Sequence, residues 1–105
     1  MATAAASKQR TAVRMVQLRG DLDAAAATSA FTRLLQLDLR PGQRLILDLR
    51  ELTFMDSTGV RVLLKAMEQA HRAGAAFSIV AGPPPVMRVL DLVGLRDQLD
   101  VLDGA

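Results

Sequence analysis

The chain has 105 residues, 50% of them hydrophobic and 23% charged, which fits one globular domain and excludes a disordered or low-complexity segment as its main body. Thirteen Lys and Arg against eleven Asp and Glu leave a formal charge of +2 scattered along the chain, so no basic stripe for nucleic acid is expected. Cysteine is absent, His71 is the one histidine and aromatic residues make up 3%, which removes disulfides, thiol catalysis, multi-ligand zinc sites and base-stacking platforms.

Residues 1–10 are small and polar and read as a tail, leaving 11–105 as the domain. Met1 to Ser7 has no basic region followed by a Leu-rich core, so no secretory signal is expected. Thr11 to Arg19 mixes β-branched and apolar residues and predicts a strand, and Gly20-Asp21-Leu22-Asp23 reads as a turn. The spacing of Ala27, Phe31, Leu34 and Leu35 predicts a helix over 24–37, with Asp23 as its N-cap, and Pro41-Gly42 closes the region. Arg44 to Leu49 predicts a central strand: Leu45, Leu47 and Leu49 face one way and Ile46 the other, as expected of a strand covered on both sides.

Thr53-Phe54-Met55 is a short apolar step that leads into Asp56-Ser57-Thr58-Gly59 and a helix over 58–72. Val60, Leu63, Leu64 and Met67 form its expected buried stripe, with Ala70 alongside, and Gly74 suits its C-terminal cap. Ala75 to Ala81 predicts another strand. Pro85 opens a short amphipathic helix over 85–93 built on Val86, Val89, Leu90 and Val93 and stopped by Gly94, and Val101-Leu102 ends the pattern as strand or helix. The alternation predicts an α/β fold with a mixed sheet of four or five strands packed with helices. No apolar stretch approaches the roughly 20 residues of a bilayer span, so direct membrane insertion is not expected; a thiol-free domain suits the cytoplasm.

The residues offer little catalysis. Ser57 and His71 lie at opposite ends of one predicted helix, about 21 Å apart by the helical rise, so no Ser-His pair forms within the chain. Asp21 and Asp23 suit turn and cap roles, and Asp48 sits within an apolar strand where it hydrogen-bonds locally. Neither a dinucleotide fingerprint nor a P-loop occurs, so no cofactor and no metal is expected. The informative element is Asp56-Ser57-Thr58-Gly59. Asp, Ser and Thr are preferred helix caps, which explains the element structurally. A hydroxyl at such a corner would also accept a phosphate of about −1.5 to −2 charges without disturbing a helix start that favours anions.

Leu45 to Leu49, Leu52 to Val60 and Leu63-Leu64, with Gly20-Asp21-Leu22-Asp23 before the first helix and Val86 to Leu95 near the end, resemble the core signature of STAS domains and specifically of bacterial anti-sigma factor antagonists. The resemblance covers roughly residues 12–103. It implies a STAS-like fold and a partner-switching function without enzymatic activity. The unphosphorylated domain binds an anti-sigma factor that is itself a serine kinase, the kinase phosphorylates Ser57 and is released, and a phosphatase resets the cycle. Asp23, Asp56, Ser57, Thr58 and Gly59 are the implied partner-binding residues; self-association is left open. Members of the family open with a strand pair, so a first edge strand is either built from Ser7 to Arg10 or missing here. The competing reading within the fold is a scaffold of a stress-sensing complex or a soluble subunit of a lipid-transport ABC system.

Overall fold

A computed structural model describes residues 13–102. In chain order it contains β1 (Val13–Leu22), α1 (Ala24–Leu35), β2 (Arg44–Met55), α2 (Ser57–Ala73), β3 (Ala76–Val80), α3 (Pro84–Leu92), a 3₁₀ turn (Arg96–Gln98) and β4 (Asp100–Leu102). The strands form one sheet in the order β1-β2-β3-β4, and every neighbouring pair is parallel. The antiparallel element that would make the sheet mixed, an edge strand from Ser7 to Arg10, lies outside the described residues, as does the tail expected over 1–10.

Sequential parallel strands joined by right-handed crossovers place every helix on the same side of the sheet. Burial agrees. Val16, Leu18, Leu45, Leu47, Leu49 and Ile79 share a core with Ala27, Ala30 and Leu34 of α1, Leu63 and Ala66 of α2, and Val86 and Leu90 of α3. Ile46 and Val80 point to the opposite face; both are buried, yet neither joins that core. β2 is thus interior, as expected, but its helical cover lies on one side only. The other side carries hydrogen-bonded charge: Arg44 donates to Ser78 Oγ and Asp100 Oδ2, and Arg50 donates to both oxygens of Asp48.

Several expectations need correction. The strand expected over Arg44 to Leu49 continues through the apolar step to Met55. Gly20-Asp21-Leu22 is the end of β1, not a turn; Gly20 takes φ +70° inside the strand and Leu22 is buried in the core. Leu35 and Leu64, expected in the buried stripes, are 79% and 41% exposed. On α1 the core side is filled by Ala27, Ala30 and Leu34, whose small alanines let the helix sit close to the sheet. On α2 the buried arc runs through Gly59, Val60, Val62, Leu63, Ala66 and Ala70, and Leu64 lies about 100° round from Leu63, beyond its edge. Met67 and Val89 are half-buried for the same reason, each at the margin of its arc. Val93, expected in the stripe of the last helix, is 56% exposed because α3 ends at Leu92 and Val93 is its C-cap. Gly82 lets the connection from β3 to α3 pass close to β2, because a Cβ there would come 2.6 Å from the Leu49 carbonyl oxygen.

Candidate functional site at the paired helix caps

Two local motifs meet at the C-terminal edge of the sheet. Leu22 of β1 pairs with Met55 of β2, so Asp23 and Asp56 leave the sheet from adjacent strand ends. Each aspartate starts the next helix by the same chemistry. Asp23 Oδ1 accepts the Ala26 N–H at 3.0 Å, and Asp56 Oδ1 accepts the Thr58 N–H at 2.8 Å. Both backbones are extended at the cap, and both carboxylates satisfy helix N-terminal amides that would otherwise be orphaned. The two motifs are also tied across the strands, where Thr53 Oγ1 donates to Asp21 Oδ1 at 2.7 Å.

Ser57 is the first residue of α2. It is exposed, and its hydroxyl has no hydrogen-bond partner among the described residues, because Asp56 already performs the capping. Thr58 is half-buried beside it. Gly59 is buried, and its part is to bring α2 close to the sheet. A Cβ at this position would overlap Met55 Cγ and stand 2.9 Å from Met55 Sδ and 3.0 Å from Leu22 Cδ2. Of the five residues singled out from the sequence, Asp23, Asp56, Ser57 and Thr58 therefore gather at one edge with surface to offer, and Gly59 lies beneath them.

What the site can do chemically follows from these groups. It presents an unengaged hydroxyl, two carboxylates committed to capping, and the positive ends of two helix dipoles. His71 is exposed in the last turn of α2, far from Ser57. Among the described residues no group of three or more His, Cys, Asp or Glu could hold a metal ion. No described helix is long and apolar enough to cross a membrane. The perturbed carboxylates lie on the helix-free face, away from this edge. Hydrogen bonding from Arg50, with help from Gln17, holds the buried Asp48 carboxyl below its ordinary range. The Ser78 hydroxyl, and then Arg44, do the same for Asp100. Sequence reasoning missed the Asp21–Thr53 tie and the surface that adjoins Thr58 between α1 and α2. The signal for that surface was present in the two apolar stripes, which are wider than the core they cover.

The STAS domain family model matches residues 4–103. An anti-sigma F factor antagonist of Paenibacillus polymyxa is 34% identical over 96 residues, an alignment covering 88% of this chain and 80% of that protein. An anti-sigma-B factor antagonist of Bacillus subtilis (strain 168) is 26% identical over 86 residues, covering 82% and 78%. The solved structure of the anti-sigma factor antagonist SpoIIAA in its unphosphorylated form superposes with a TM-score of 0.73 at 22% identity, covering 90% of this chain and 82% of that one, which places the two on the same fold. With the order of elements, the Asp-capped corner and a family match across nearly the whole chain in agreement, the chain belongs to the STAS domain family.

Proposed function

We propose that this chain is an anti-sigma factor antagonist. It binds an anti-sigma factor that is also a serine kinase, over the edge formed by Asp23, Asp56, Ser57 and Thr58, and phosphorylation of Ser57 ends that binding. The observation that carries the reading is the unengaged Ser57 hydroxyl on a helix start already capped by Asp56. The relatives named as antagonists of anti-sigma factors supply the partner class. A phosphate on Ser57 would add about −1.5 to −2 charges beside Asp56. The α2 amides tolerate an anion there, so the domain stays folded. A partner packed over the edge would have to desolvate that dianion, which opposes binding. The switch thus acts on the interface and leaves the core alone. A phosphatase restores the starting state, and the chain itself performs no turnover.

The test is incubation of the chain with the cognate kinase and ATP, followed by mapping of the modified residue and measurement of partner affinity before and after. Phosphate on Ser57 with a large loss of affinity is the expected result. Phosphate on Thr58 or elsewhere, or equal affinity for both forms, would remove the switch and leave a STAS binding module.

A further inference from the structure

α1 and α2 start from the same sheet edge and pack against each other along one side of the domain, and a groove runs between them from Thr58 to Arg72. Its apolar wall consists of Phe31, half-buried, Leu35 at 79% exposure and Leu64 at 41%. These three sit where the apolar stripes of both helices overrun the core: Phe31 lines the groove at both ends, Leu35 its Arg72 end and Leu64 its Thr58 end. Its charge is one-sided. Glu68 is neutralised by Arg72 at 2.8 Å, whereas Arg61 and Lys65 have no acidic partner among the described residues. The groove therefore combines exposed leucines with two uncommitted cations, and its upper end adjoins the residue next to Ser57.

We propose that this groove is a docking site for an acidic amphipathic helix of the protein partner. The proposal rests on the partner-binding reading of the Ser57 edge, which it extends to a second, continuous surface. An amphipathic helix anchors through apolar side chains at i, i+3 and i+4 spacing, and Phe31, Leu35 and Leu64 are the apolar groups along the groove that such anchors would meet. Carboxylates flanking that stripe would meet Arg61 and Lys65, giving charge complementarity that selects acidic over basic segments and speeds encounter. Arg61 stands one helical turn after Ser57, on the same side of α2. Modification of Ser57 and docking of the acidic helix therefore draw on the same cation.

The groove can be tested apart from the switch with two synthetic 15-residue helical peptides. One carries a Leu stripe flanked by Glu, the other the same stripe flanked by Lys. Titrated into the ¹⁵N-labelled full chain, the Glu peptide should shift amide signals of residues 31–35 and 58–68, and its affinity should fall as salt rises. The double variant Arg61→Glu/Lys65→Glu should bind it at least about tenfold more weakly. Leu64→Ser and Leu35→Ser should weaken both peptides. All four positions are exposed, so thermal melts should match wild type, and Arg88→Glu on α3 serves as a charge control that leaves binding unchanged. Equal binding of both peptides, shifts that map to the helix-free sheet face, concentration-dependent shifts at the groove without peptide, or stronger capture by anionic vesicles than by the Glu peptide would each overturn the assignment, the last two in favour of a second copy or a lipid surface. Failure of Ser57 phosphorylation with these peptide results intact would instead count against the switch.

Discussion

The division of labour between Asp56 and Ser57 can be measured directly. Asp56→Ala removes the 2.8 Å bond to the Thr58 N–H and an anion from the start of a 17-residue helix. Loss of such a cap costs about 0.5–2 kcal/mol, with about 1 typical. In a domain of this size 1 kcal/mol corresponds to a drop of about 4–8 °C in Tm. Ser57→Ala removes an exposed hydroxyl that bonds to nothing described, and Ala is the better helix former, so the change in stability should stay within about 0.5 kcal/mol. Urea titrations of wild type and both variants, read by circular dichroism with a shared m-value, resolve this difference. Partner binding measured on the same samples should survive Ser57→Ala and no longer respond to kinase and ATP. A loss above about 1 kcal/mol for Ser57→Ala, or none for Asp56→Ala, would refute the reasoning: the serine would then be the cap, and its phosphorylation would act by disturbing the helix.

Gly59→Ala should destabilise the fold, because the added carbon overlaps Met55 and crowds Leu22; overpacking of about 1–3 kcal/mol is only partly offset by a helix-propensity gain of up to about 1. A melt at or above the wild-type temperature would show that α2 can move away from the sheet without loss. Leu47→Ala, at a site with no exposure in the interior strand, should cost about 2–5 kcal/mol in chemical denaturation, and a neutral result would take β2 out of the core. Asp48 and Asp100 are held below the ordinary carboxyl value of 3.8 in the folded state, so their contribution is fully present above that pH and is lost as pH falls through their lower folded values. The urea midpoint should be nearly level from about pH 7 to 5 and decline below about pH 4, more shallowly in Asp48→Asn; an unchanged decline in that variant would assign the acid sensitivity to other groups.

Local chemistry made part of this molecule legible in its sequence. Asp23 and Asp56 stand before apolar periodic runs and act as caps in the structure, since capping depends only on residues two or three positions away. The interior strand was visible as apolar residues at both parities over Leu45 to Leu49, although its two sides are covered differently. Burial at the margins was not legible. Leu35 and Leu64 fit a helical period as well as Leu34 and Leu63 do, and periodicity fixes the centre of an apolar arc but not its width. The width depends on how closely α1 and α2 approach, which the small residues beneath them decide.

The ends of β1 and β2 were misread for a different reason, and that reason bears on the site. Gly20-Asp21 and Arg50-Glu51 look like breaks because turn residues and charge interrupt the apolar pattern. In the fold they mark two register shifts in the β1–β2 ladder. From Gln17 opposite Asp48 to Leu22 opposite Met55, β1 advances five residues and β2 seven. At the first shift Asp48 Oδ1 accepts the Arg50 N–H, and at the second Gly20 takes its left-handed backbone. One extra residue would turn the remaining side chains to the wrong face, because a strand alternates with period two; a second restores the alternation. The trace is the spacing of inward residues in β2, two apart from Leu45 to Leu49 and then three apart through Leu52 to Met55. Without these insertions the end of β2 would be displaced against β1 by two residues, about 6.6 Å. Asp23 and Asp56 would then no longer emerge side by side, nor would Gly59 come down on Met55 and Leu22. The apparent breaks in the sequence are what bring the two capped helix starts to one edge with Ser57 exposed between the sheet and the solvent.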